Sequence, residues 1–370
     1  MRMRGEIVVC LSIFILILAV LGCTPRVQTI DDQDVGATAV ARFGSSYRTR
    51  DGRELALNSW GPAENPSAVV LALHGMNEYS KVLNEPAQSW ARDDIRTIAY
   101  DQRGFGADPQ RGIWAGWEIL ARDVCDLVVL IQERYKGRNM PLFIVGESMG
   151  AAVATTALAH FEASTCGKNR DTPASCWSGV SGVVLVSPAV AGRESMPFLV
   201  RSTTWLLAHS IPWFPFPVNR KLWFIPDIYD MLDWEDEEIR EEYIEDPLFL
   251  GSTRFDATWG LFKLMDAAQE AAPRLTCPTL ILFGERDEVV RTEFALAFLN
   301  KLPADTWQLA VYADGCHNLL AGRKESHVPS DIAAWMLHPN PRNMRELPSG
   351  RKFIEDTAKI ELGTKRCKNG

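Results

Sequence analysis

The sequence predicts an α/β fold, a mostly parallel, doubly wound sheet with a cap inserted near its carboxyl edge. Three observations predict it. Apolar-rich runs of strand length recur at 68–73, 95–100, 142–145, 180–186 and 279–283, and those at 68–73 and 142–145 are unbroken, as strands covered on both faces must be. Segments with helical apolar spacing separate them, most clearly at 117–135, where Ile119, Leu120, Val124, Leu127, Val128 and Ile131 share one stripe. From Pro188 to about Ala272 the alternation stops, and Trp205, Trp213, Phe214, Phe216, Trp223 and Phe224 gather among Pro212, Pro215 and Pro217. That interruption reads as a cap, about 188–272, whose aromatics pack its own core or face a ligand. The acidic run 233–245 within it reads as a solvated helix face.

The elements follow in order. Residues 46–49 and 54–60 flank Asp51-Gly52 and predict a hairpin. The run 68–73 ends in His74-Gly75-Met76-Asn77-Glu78, with a helix near 80–92. The strand 95–100 ends in Asp101-Gln102-Arg103-Gly104-Phe105-Gly106 and precedes the crossover helix 117–135. Strand 142–145 breaks at Gly146 into an alanine-rich helix, and strand 180–186 leads into the cap. Strand 279–283 ends in Gly284-Glu285-Arg286-Asp287, a helix starts at Thr292, and strand 306–312 leads to Gly315-Cys316-His317. A helix at 330–337 closes the body. No internal repeat is present.

With 46% hydrophobic residues the chain of 370 can bury one large α/β core. A net charge of -8 and the lack of any basic stripe exclude nucleic acid as a partner, and no protein partner is read from the sequence. Residues 1–23 form a signal peptide: Arg2 and Arg4 precede an apolar run from Ile7 to Leu21 that is short for a membrane span. Val20-Leu21-Gly22-Cys23 resembles a bacterial lipobox, in which Cys23 carries the lipid; an uncleaved N-terminal anchor is the alternative. Either one places the body in the cell envelope, facing the periplasm or exterior. Residues 24–43 read as a tether, 44–338 as the body with its cap, and 339–370 as a polar tail. Of eight cysteines, Cys166 and Cys176 flank a polar loop and are the disulfide candidates, a closure that would contribute about 3 kcal/mol. Cys125, Cys277 and Cys316 sit in apolar or strand contexts and read as buried thiols.

Gly146-x-Ser148-x-Gly150 is a weak motif alone, and Ser148 between strand and helix could be a helix N-cap. Its context favours a nucleophile elbow, in which the flanking glycines relieve crowding and the serine is strained and exposed. A serine hydroxyl needs a base, and the base needs a carboxylate. Of six histidines, only His317 lies in a loop just after a late strand; Asp287 lies just after the strand before it. Ser148, Asp287 and His317 thus occur in the chain order of an α/β-hydrolase triad, each at a strand's carboxyl end. The expected oxyanion donors are the backbone N–H groups of Met149 and Met76. His74 is expected to brace its loop.

The five motifs quoted above resemble those of the monoacylglycerol lipase and lysophospholipase group of α/β-hydrolases, over roughly 46–337 and least across the cap. Ala107 stands where that group usually has serine. The resemblance implies hydrolysis of single-chain lipid esters through an acyl-enzyme, with no metal or organic cofactor. A general carboxylesterase or a serine peptidase of the same fold, or a non-catalytic ligand-binding lipoprotein, remain the alternatives. The dehalogenase and epoxide hydrolase branches are disfavoured because they use aspartate at the elbow.

Overall fold

The computed structural model describes residues 24–28, 39–160, 179–217, 245–320, 326–338, 340–357 and 360–362. The signal segment with Cys23, the candidates Cys166 and Cys176, and residues 233–244 of the acidic run lie outside them. Strands β1 (Val40–Arg42), β2 (Ser46–Arg48) and β3 (Glu54–Trp60) form an antiparallel ribbon, with the hairpin at Asp51-Gly52 as expected. Then β4 (Ala68–Leu73), α1 (Asn84–Ala91), β5 (Ile95–Tyr100), α2 (Trp117–Arg134), β6 (Leu142–Glu147), α3 (Met149–His160) and β7 (Val180–Val186) alternate strand and helix. Between β7 and β10 lie α4 (Phe198–Ser210), a two-stranded ribbon of β8 (Pro215–Pro217) and β9 (Ser252–Arg254), and α5 (Phe255–Ala271), which packs against α3. Next come β10 (Thr279–Gly284), α6 (Thr292–Leu299), β11 (Trp307–Tyr312) and α7 (Val328–Leu337).

The nine-stranded sheet has the order β1-β2-β3-β5-β4-β6-β7-β10-β11. β3 pairs antiparallel with β5; every later pairing is parallel. All six residues of β4, of β6 and of β10 are buried, which is why those runs read as continuously apolar. Alternation within them assigns the faces. Val69, Leu71 and Leu73 join the core beneath α2, α3, α5 and α6, while Ala68, Val70 and Ala72 join the core beneath α1 and α7. Each fully buried Leu or Val contributes about 1.5–3 kcal/mol. The order reverses at β4, so chain crossovers leave toward opposite faces on either side of it and open the carboxyl edge there.

Four expectations change. The sheet begins at Val40, before Ser46, because β1 is a three-residue edge strand too short to show periodicity. Residues 24–28 are docked on the body: Gln28 is buried, its N–H donates to Trp114 O at 2.8 Å, and its Nε2 donates to Asp108 Oδ2 at 2.9 Å. The C-terminal stretch also packs, with Leu347, Ile360 and Leu362 buried and Ile354 N–H donating to Leu309 O. In both cases the partners lie far away in sequence, out of reach of any local pattern. Cys316 is disulfide-bonded, to a cysteine outside the described residues, so it is no thiol; Cys125 and Cys277 are not in disulfides.

Candidate active site

Ser148 occupies the single position between the end of β6 and the start of α3 and has φ +51°, a left-handed conformation that non-glycine residues avoid. Surrounding backbone holds it there. Its N–H donates to Val186 O at 2.9 Å, and its carbonyl accepts the Ala189 N–H at 3.0 Å. Crowding dictates the flanking glycines: a Cβ at Gly146 would lie 2.5 Å from the Gly150 carbonyl, and one at Gly150 would lie 2.3 Å from Leu73 O. The hydroxyl does not cap α3. Ser148 Oγ lies 2.9 Å from His317 Nε2.

His317 stands in the loop after β11, where Cys316 and His317 are both buried. That loop crosses the end of β10 closely, and Arg286 N–H donates to Gly315 O at 3.0 Å. The crossing brings His317 Nδ1 to 2.9 Å from Asp287 Oδ2. Asp287 is fully buried, and its other oxygen accepts the Val289 and Val290 N–H groups at 2.9 and 2.8 Å. With a carboxylate fixed opposite Nδ1, that nitrogen carries the proton and Nε2 is left to accept the one from Ser148. Burial alone would lower the His317 pKa; the Asp287 charge and hydrogen bond, helped by Glu147 and Glu78, outweigh it and raise the pKa above its ordinary value.

Met149 begins α3 directly after the nucleophile, with its N–H at a helix N-terminus. Met76 sits in the loop after β4, beside a crevice also lined by Phe105, Ile113, Trp114, Leu250 and Ala257. His74 braces that loop as expected. It is fully buried, burial pushes its pKa down to about 4, its Nε2 accepts the Gln102 N–H at 2.9 Å, and its Nδ1–H donates to Gly75 O at 2.8 Å. Gln102 Nε2 returns a bond to His74 O, so the loops after β4 and β5 are tied to each other. Ala107 leaves the second loop intact, because its N–H donates to Asp101 Oδ2.

Three residues of this site carried no role in the sequence. Asn77, with φ +68°, exchanges side-chain hydrogen bonds with Thr253 at 2.7 and 3.0 Å and ties the Met76 loop to the cap ribbon. Glu78 accepts the Gly75 N–H at 2.7 Å, and Glu147 accepts the Leu320 N–H at 2.9 Å. The position of Glu147 before the serine was a usable signal. Those of Asn77 and Glu78 were not, since polar residues in a loop need no tertiary partner.

The sheet and a hydrogen-bonded Ser-His-Asp chain at its carboxyl edge define a serine hydrolase of the α/β-hydrolase class. Residues 64–324 match the family model described as Hydrolase_4, serine aminopeptidase, S33, and the chain belongs to that family. It is 28% identical over 293 residues to the monoglyceride lipase of Rattus norvegicus, covering 78% of this chain and 88% of the relative. In fold it is similar to a soluble variant of the Saccharomyces cerevisiae monoglyceride lipase in complex with a substrate analog, with TM-score 0.61, 16% identity, and coverage of 85% of this chain and 98% of that one. It is also similar to the Paleococcus ferrophilus monoacylglycerol lipase, with TM-score 0.57, 19% identity, and 76% and 98% coverage. The protein is an ester hydrolase.

Proposed function

We propose that the protein hydrolyses carboxylic esters of single-chain lipids, monoacylglycerol or lysophospholipid, while held at a membrane by a lipid on Cys23. The observation that carries the chemistry is the 2.9 Å spacing at both joints of the Ser148–His317–Asp287 chain. Ser148 Oγ attacks the ester carbonyl as its proton passes to His317 Nε2. The tetrahedral oxyanion rests on the Met149 and Met76 N–H groups, each worth about 3 kcal/mol. His317 then gives its proton to the leaving alkoxide, the acyl group stays on Ser148, and water activated by His317 releases the fatty acid.

Support for a lipid substrate comes from the cap and from the monoglyceride lipase relatives. Phe198 and Leu199 are 74% and 72% exposed, and Trp205, Leu206, Trp213 and Phe214 are also exposed, an apolar surface suited to an acyl chain or bilayer. Support for the tether is the apolar segment ending at Cys23, followed only five residues later by docked Gln28, which would hold the body close to an anchor. The Cys316 disulfide suits an oxidising compartment outside the cytoplasm. No helix among the described residues is long and apolar enough to cross a membrane.

The test is hydrolysis of monooleoylglycerol, lysophosphatidylcholine, p-nitrophenyl butyrate and an aminoacyl p-nitroanilide by wild type and Ser148→Ala. Turnover of the two lipids above the short ester, lost in the variant, is expected. Preference for the anilide would make the protein a peptidase instead. Mass spectrometry of the mature N-terminus reads the anchor, and an intact Met1 would exclude lipidation at Cys23.

A further inference from the structure

We propose that Glu78 and Glu147, which form no bond to substrate, are paired positioning residues: Glu147 fastens the catalytic-histidine loop to the nucleophile elbow, Glu78 fastens the oxyanion loop, and together they set the charge around His317. The inference rests on the triad reading of Ser148, His317 and Asp287 and adds a second acidic pair behind it.

Glu147 is the residue before the nucleophile and is fully buried. Its Oε1 accepts the Leu320 N–H at 2.9 Å, while Leu319 N–H donates to His317 O at 3.1 Å. One carboxyl group therefore ties the end of β6 to the chain three residues beyond the catalytic histidine. Glu78 is 4% exposed and closes its own loop on the Gly75 N–H at 2.7 Å. A methyl group on Gly75 would lie 2.8 Å from Glu78 Oε2 and 3.5 Å from Ser148 Cβ, so the carboxyl group and the nucleophile flank the same backbone atom. An amide at either position would make the same hydrogen bond without a buried charge.

The charge is the informative part. Two buried carboxyl groups that feel one another cannot both ionise freely. Burial pushes Glu78 up to about 7, and burial together with the Glu78 charge pushes Glu147 up to about 8. Glu147 Oε2 is buried with no hydrogen-bond partner among the described residues, free to carry a proton. The charged groups that act on Glu147 are Glu78 and His317, and the one that acts on Glu78 is His317, whose Nδ1 faces Asp287. Both carboxyl groups raise the affinity of His317 for a proton. As pH rises through neutrality the pair ionises, and a more basic His317 is offered to the Ser148 hydroxyl.

The test uses the rate of inactivation by a fluorophosphonate as a function of pH, which reads the free enzyme and needs no substrate assignment. Wild type, Glu78→Gln, Glu147→Gln and the double variant are compared, with folding followed by circular dichroism. The amides preserve the acceptors. The double variant should follow a single ionisation, displaced to lower pH by about half a unit or more, where the wild type shows a broader rise. Either single variant carries the readout should another fail to fold. Superimposed profiles from folded variants would overturn the role of the pair while leaving the triad in place. Absence of labelling in wild type would overturn both.

Discussion

The Ala189 N–H donates to the Ser148 carbonyl at 3.0 Å, so the first turn of chain after β7, where the cap departs, is bonded to the nucleophile itself. The strained φ of Ser148 is thereby held from β7 on one side and by close backbone contact with β4 on the other. This arrangement leaves no space at Gly150. Gly150→Ala should lower the free energy of unfolding by about 3 kcal/mol or yield no folded protein, because the obstructing atom is a backbone carbonyl that no rotamer change can move. Urea denaturation of the purified variant measures it, and a loss below 1 kcal/mol would contradict the crowding.

His317 must be neutral to accept the serine proton. Its pKa is raised, so the acid limb of kcat/KM should fall with a midpoint above the ordinary 6.5 of histidine. Asp287→Asn removes the charge that raises it and the acceptor that selects the tautomer, and should reduce kcat by about ten-thousandfold while the fold persists. A pH–rate profile of each protein on a soluble ester tests both.

Arg103, in the loop after β5, joins two carboxylates, donating to Asp123 Oδ2 at 2.6 Å and to Asp51 Oδ2 at 2.6 Å. Asp123 is buried, and burial raises its pKa against the pull of Arg103. Arg103→Met would strand that carboxyl group and should cost about 3–5 kcal/mol. For Asp51, burial opposes ionisation, but the hydrogen bonds from Arg103 and Thr49 outweigh it and bring the pKa down to about 2. A depressed folded pKa means that this contribution is present above pH 4 and is lost as pH falls toward 2. Acid unfolding monitored by fluorescence should begin at higher pH in the variant.

Glu78 and Glu147 have the opposite linkage. In the unfolded chain they ionise near their ordinary 4.5; in the folded protein they hold protons up to about 7 and about 8. The unfolded state therefore binds fewer protons between those limits, and wild type loses stability as pH rises from 4.5 toward 8. Glu147→Gln should flatten that decline and be the more stable protein at pH 8, with the advantage gone below pH 4.5. Thermal unfolding at pH 5 and pH 8 separates the two.

The Cys316 disulfide adjoins His317. Reduction should lower activity and free two iodoacetamide-reactive thiols, one of them Cys316, mapped by peptide mass spectrometry. Labelling of Cys316 before reduction would contradict the bond.

Local patterning and chain order encode one part of this protein. Ala68–Leu73 was legible as a strand because a strand buried on both faces has no polar position to interrupt it, and Ile95–Tyr100 and Val180–Val186 stayed legible although Arg96 and Ser181 reach partly exposed positions in them. The triad was legible because each member follows a strand, and carboxyl ends of parallel strands converge on one edge. The rest arises from long-range packing. Gln28 docks through side-chain bonds to Asp108, 80 residues away, and β1 is too short for periodicity. Asn77 gains its partner Thr253 across 176 positions, and Glu147 meets Leu320 across 173. A polar side chain has the same identity in solvent as in a buried bond. Its role is set by what the fold packs against it, and no local pattern records that.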